Sequence, residues 1–160
     1  MDIIKIGMAE LKTGKAPQIL TTLGLGSCVG VTLYDKTLKL GGMVHIMLPD
    51  SKQMRNNLEV AKFADTGITH LMNSLIKQGA NQKRLVAKMA GGAQMFEFKH
   101  MEETLRIGAR NIAASKEMLY KLNIPIQSSD VGANYGRTIE LNLETGILLV
   151  KTIGKGYKEI

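Results

Sequence analysis

A chain of 160 residues with 44% apolar and 22% charged side chains has the make-up of one globular domain over positions 1–160, not of a disordered or fibrous segment, and is too short for two ordinary domains. Its single cysteine excludes an intrachain disulfide and a multi-cysteine zinc or iron–sulfur centre, and fits a reducing compartment. Lys and Arg exceed Asp and Glu by 21 to 14, a net +7, which predicts attraction to acidic partners without naming one.

The opening Met1-Asp2-Ile3-Ile4-Lys5 has neither the basic stretch nor the cleavage site of a signal peptide. No apolar run approaches the ~18–20 residues of a membrane span, so a cytoplasmic protein without membrane insertion is expected. β-Branched and alternating apolar runs bounded by Gly, Asn, Asp or Pro predict strands over 3–7, 18–22, 28–34 and 38–48. A helix follows over about 57–77, with Ala61, Ala64, Ile68, Leu71, Met72 and Leu75 on one face and a capping-box pattern at Asn56 and Glu59. A strand at 85–90 precedes a second helix at about 111–122, which stops before Asn123 and Pro125. Strands at 124–128, 138–143 and 147–153 close the chain, the last two joined as a hairpin through Glu144-Thr145-Gly146. Strands succeed one another without intervening helices at both ends, which predicts an α+β layered fold rather than a doubly wound parallel sheet.

The chemistry centres on Cys28. A glycine loop, Gly24-Leu25-Gly26-Ser27, directly precedes it, and a β-branched strand follows. That following strand excludes a dinucleotide fingerprint, and Ser27 lacks the flanking glycines of a serine-hydrolase elbow. If 36 and 37 form a two-residue hairpin turn, Asp35 faces Leu38 and Cys28 faces His45. Val29 then opposes Val44, Leu33 opposes Leu40, and Cys28, Thr32, Tyr34, Met43 and His45 share the other face. Directly opposed residues lie close enough for a thiol–imidazole hydrogen bond, and an imidazole there can generate a nucleophilic thiolate by forming an ion pair. The alternative is that Cys28 is a small buried hydrophobe.

Three histidines at 45, 70 and 100 without ligand spacing predict no metal site, and no cofactor motif is present. His70 falls on the solvent face of its helix and His100 in a polar stretch. Three Phe and four Tyr with no Trp give no stacking platform for single strands, so nucleic acid is not an expected partner.

Leu25-Gly26-Ser27-Cys28-Val29 and Gly42-Met43-Val44-His45-Ile46-Met47-Leu48-Pro49 resemble the CheD chemoreceptor glutamine deamidases of bacterial and archaeal chemotaxis. Lys62-Phe63-Ala64-Asp65, Ala87-Lys88-Met89-Ala90-Gly91-Gly92-Ala93, Ile107-Gly108-Ala109-Arg110-Asn111 and Asp130-Val131-Gly132 follow in the family's order. Ala133, where the family usually carries glycine, and Phe63, where Tyr is frequent, depart from it. The resemblance implies a single-domain α/β/β sandwich, its sheet mostly antiparallel or mixed, with two main helices, similar to deamidating-toxin cysteine hydrolases. It further implies hydrolysis of receptor glutamines to glutamates through a Cys28 thioester, with ammonia released and chemotactic adaptation regulated. His45 is implied as the base and Thr22 as the third catalytic member. Gly26, Ser27, Gly91 and Gly92 are candidates for oxyanion or substrate binding, inferred from the donors that glycine-rich turns offer. Methyl-accepting chemotaxis receptors are the implied substrates, the phosphatase CheC is the implied regulatory partner, and a receptor methylesterase side activity is open.

Overall fold

The computed structural model describes residues 2–53, 59–95 and 106–160. The predicted start of the first helix, Asn56 of the capping box and His100 lie outside the described residues. Among the described residues ten strands form two five-stranded sheets. The outer sheet orders β1 (Ile3–Ile6), β3 (Ile19–Leu25), β8 (Arg137–Asn142), β9 (Leu148–Thr152) and β10 (Gly156–Glu159). The central sheet orders β2 (Leu11–Lys15), β5 (Leu40–Ile46), β4 (Val29–Asp35), β6 (Val86–Gly91) and β7 (Ile126–Val131). Both are mixed: β1–β3 and β6–β7 run parallel, and the other pairs antiparallel.

The central sheet is buried on both faces, so β4 and β5 have no exposed residue. On one face Val29, Val31, Leu33, Leu40, Val44 and Ile46 pack against α1 (Ala64–Lys77) and α2 (Ile107–Lys121). On the other face Cys28, Tyr34, Met43 and Ala90 pack against Ile6, Leu20, Ile139, Leu141 and Val150 of the outer sheet. The layers are therefore helices, central sheet and outer sheet, the α/β/β order expected.

Helix α1 buries Ala64, Ile68, Leu71, Met72 and Leu75, the stripe read from periodicity. It begins at Ala64 because Phe63 is extended, and Val60–Lys62 form a separate 3-10 turn. Asp65 in its first turn suits the positive end of the helix dipole and accepts hydrogen bonds from the Ser51 amide and hydroxyl. Helix α2 starts four residues earlier than expected, at Ile107, and ends where Asn123 takes a positive φ of 57°.

The β4–β5 register corrects the sequence reading. Gly30, not Cys28, faces His45; Val29 faces Ile46, and Leu33 faces Gly42. The loop spans 36–39 because the Asp35 carboxylate accepts the Thr37 amide at 3.0 Å, and Lys39 adopts φ 51°. The offset is two residues, so every side chain keeps its expected face. Burial of each Val or Leu is worth roughly 1.5–3 kcal/mol in either register, so the apolar pattern does not choose between them, and the turn does.

Candidate active site

The site lies between the two sheets, where β3 of the outer sheet crosses β5 of the central one. Thr22 is 1% exposed and His45 not at all. The Thr22 hydroxyl lies 2.7 Å from His45 Nδ1 and donates to the Ile6 carbonyl, also at 2.7 Å. A hydroxyl has one proton and a carbonyl can only accept. With that proton committed to Ile6, the Thr22 oxygen must accept from Nδ1–H. The tautomer follows: Nδ1 carries the proton and Nε2 holds a lone pair. Nε2 is buried and has no hydrogen-bond partner among the described residues, so the imidazole is oriented at one nitrogen and available as a base at the other.

Cys28 sits one residue before the β4 ladder, 8% exposed, within the cluster between the sheets. It lies two residues before Gly30, which pairs with His45, and it packs in the cluster that includes Met43 of β5. Its loop is fixed through three successive carbonyls. Gly26 accepts from the Ala93 amide and Cys28 from the Gly92 amide, each at 2.8 Å. Ser27 accepts from Asn111 Nδ2 at 3.0 Å.

Burial pushes the Cys28 thiol above the ordinary thiol range and the His45 imidazole below its own. Both shifts run against a resting thiolate–imidazolium pair and toward the neutral partners.

The four glycine-loop and β6 candidates divide. The Gly26 amide is bonded to the Gly24 carbonyl, while the Ser27 and Cys28 amides have no hydrogen-bond partner among the described residues. Gly91 and Gly92 hold the Cys28 loop: a Cβ on Gly91, at φ 108°, would lie 2.3 Å from the Cys28 carbonyl oxygen, and the Gly92 amide is already committed to that oxygen. His70 is exposed on α1, and no cluster of His, Cys, Asp or Glu among the described residues could hold a metal ion. A 540 Å³ groove between α1 and α2, bordered by Asp65, Thr69, His70 and Met118, includes none of Thr22, Cys28 or His45.

Asn111 was missed as a site residue because a polar residue near the start of a helix reads as a boundary. The signal that could have found it is its place on a buried helix face, one turn after Gly108.

Residues 47–152 match the family described as CheD chemotactic sensory transduction. The chain is 55% identical over 159 residues to the probable chemoreceptor glutamine deamidase CheD of Lachnoclostridium phytofermentans, covering 99% of each chain. It is 56% identical over 158 residues to the protein of that name in Caldanaerobacter subterraneus subsp. tengcongensis, covering 99% of this chain and 98% of the relative. Identity to the chemoreceptor glutamine deamidase CheD of Halalkalibacterium halodurans is 49% over 160 residues, with 99% of each covered. The family match begins just after Thr22, Cys28 and His45, while the relatives extend through them. The family match over residues 47–152 and the full-length relatives establish that this chain belongs to the CheD family.

Proposed function

We propose that the chain is a protein-glutamine deamidase that converts selected glutamines of methyl-accepting chemotaxis receptors to glutamates, regulating adaptation from the cytoplasm. The observation that carries the mechanism is the Ile6–Thr22–His45 relay, which leaves a buried Nε2 lone pair in the layer that holds Cys28. The names of the relatives supply the substrate class.

His45 Nε2 takes the Cys28 proton as Sγ attacks the glutamine Cδ, and the carbonyl electrons move to oxygen. In this reading the Ser27 and Cys28 amides, which have no hydrogen-bond partner among the described residues, receive that oxyanion. As the intermediate collapses, the C–N bond breaks and the imidazolium returns its proton to the departing nitrogen, releasing ammonia and leaving a thioester. His45 then removes a proton from water, which attacks the thioester and liberates glutamate and the Cys28 thiol. Positioned acid–base catalysis of this kind contributes typically ~10²–10⁴-fold. The same sequence acting on a receptor methyl ester would release methanol, and CheC is the regulatory partner in this reading.

The test is incubation with a receptor cytoplasmic fragment, followed by peptide mass analysis for glutamine-to-glutamate conversion. Conversion by the parent protein and none by Cys28→Ala supports the reading. Equal conversion by both, or hydrolysis of small amides and esters with receptor glutamines untouched, overturns it.

A further inference from the structure

Strands β4 and β5 part company where the reaction takes place. Their ladder ends at the Val29–Ile46 pair. Beyond it the Met47 amide bonds to the Lys62 carbonyl at 2.9 Å, not to β4. The Asn111 side-chain amide spans the fork. Its Nδ2 donates to the Ser27 carbonyl at 3.0 Å and to the Met47 carbonyl at 2.9 Å. One carboxamide thus joins the residue before the nucleophile to a residue two beyond the base.

The orientation of that amide is fixed by its partners. Carbonyls only accept, so the opposite flip would place Oδ1 against two oxygens. Asn111 is fully buried and its Oδ1 has no partner among the described residues. An unsatisfied buried acceptor is costly, which makes the site a poor choice for stability alone. The approach of α2 is set one turn earlier: a Cβ on Gly108 would lie 2.4 Å from the Ala93 carbonyl oxygen and 2.6 Å from that of Gly92. Only glycine lets the helix backbone sit directly on the segment that holds the Cys28 loop. Position 111, three residues on, shares that helix face.

We propose that Asn111 is a positioning residue that sets the separation of Cys28 from His45, an inference that rests on the Cys–His reading of the site. It touches neither reacting atom, and it replaces the ladder bonds that the diverging strands no longer make.

The test uses the acylation burst of the full-length protein with p-nitrophenyl acetate, in which amplitude counts competent folded sites and the rate constant reports alignment. Asn111→Ala is expected to slow acylation roughly 10–100-fold, the scale of a misplacement near 1 Å, with amplitude retained. On receptor fragment, kcat should fall with KM within about twofold. Asn111→Ser, which keeps one donor, should fall between Ala and the parent and serves if the Ala variant does not fold. In a His45→Ala background the Asn111 substitution should add no further loss, because the pair it aligns is gone. Equal losses in both backgrounds, or a reduced amplitude with an unchanged rate constant, would overturn the proposal. The ester assay needs no receptor, so a parent protein that acylates normally yet leaves receptor glutamine unchanged would remove the deamidase reading and leave the role of Asn111 intact.

Discussion

The β4–β5 hairpin holds a buried polar group near each end of its ladder, Asp35 and His45, and the two are treated in opposite ways. At the C-terminal end of β4 Asp35 is fully buried and fully satisfied. Arg84 grips it through Nε at 3.0 Å and Nη2 at 2.8 Å, and the Thr37 and Asn81 amides donate at 3.0 and 3.1 Å. Burial alone would raise its carboxyl pKa, but the bonds from Arg84, Asn81 and Leu38 together outweigh it and hold the group below the ordinary carboxylate range. At the other end, beside Cys28, His45 Nε2 is left without a partner and burial raises the thiol pKa. The Asp35 end is saturated with hydrogen bonds, whereas the imidazole at the other end is oriented at Nδ1 and has an acceptor left over at Nε2.

Three sets of substitutions bear on this contrast, in descending size of expected effect. Cys28→Ser should reduce receptor deamidation to well under a tenth, because the hydroxyl is far less acidic than the thiol. Its thermal unfolding should stay close to that of the parent. His45→Ala should be nearly as severe; a loss of only a few-fold would remove its role as base. Thr22→Val keeps the shape but removes the oxygen that accepts from Nδ1–H. It should lower kcat roughly 10–100-fold through the lost tautomer, while Thr22→Ser should retain most activity.

The Asp35 end should answer differently. Asp35→Ala is expected to cost roughly 2–3 kcal/mol in denaturant unfolding, from orphaned amides and a broken pair that Arg84 keeps partly in solvent. kcat per folded molecule should stay unchanged. Because the folded carboxyl is depressed, its contribution is present above the unfolded value of ~3.9 and is lost as pH falls through the folded value. An acid unfolding profile of Asp35→Asn lacking that loss would confirm the sign.

A pH–rate profile separates the resting states at the Cys28 end. With a neutral pair, activity falls on the acid side as His45 is protonated, at a midpoint below the ordinary ~6.5, and on the alkaline side as the raised thiol ionises. Alkylation of the free protein by iodoacetamide should show a midpoint at or above ~8.5. Appreciable reaction at pH 6 would instead restore the resting ion pair.

Much of this was legible in the sequence because alternation encodes which face each residue takes. The side chains of β4 and β5 take the faces that alternation predicts, and β8 and β9 lie where strands are expected. β2 and β10 were not found: Leu11-Lys12-Thr13-Gly14-Lys15 offers one strongly apolar residue, and Gly156–Glu159 is exposed throughout. The register missed by two because a period of two cannot distinguish that slip, and the deciding bonds come from the Asp35 side chain to its own turn. Alternation places Cys28 and His45 on one face of a hairpin but not opposite each other, and Thr22 is a candidate only through the family resemblance. Its contact with His45 joins different sheets, and Asn111 reaches both strands from a helix more than sixty residues away in sequence. No local pattern encodes such contacts.

The central claim, a neutral imidazole held as the Nδ1–H tautomer with a free Nε2 beside a protonated thiol, is tested most directly by ¹⁵N NMR of histidine-labelled protein at neutral pH. The account predicts a pyrrole-like Nδ1 and a pyridine-like Nε2 for His45, with Thr22→Val mixing the two. A protonated Nε2 in the parent protein at neutral pH, as the opposite tautomer or as imidazolium, would leave no lone pair to receive the Cys28 proton and would contradict it.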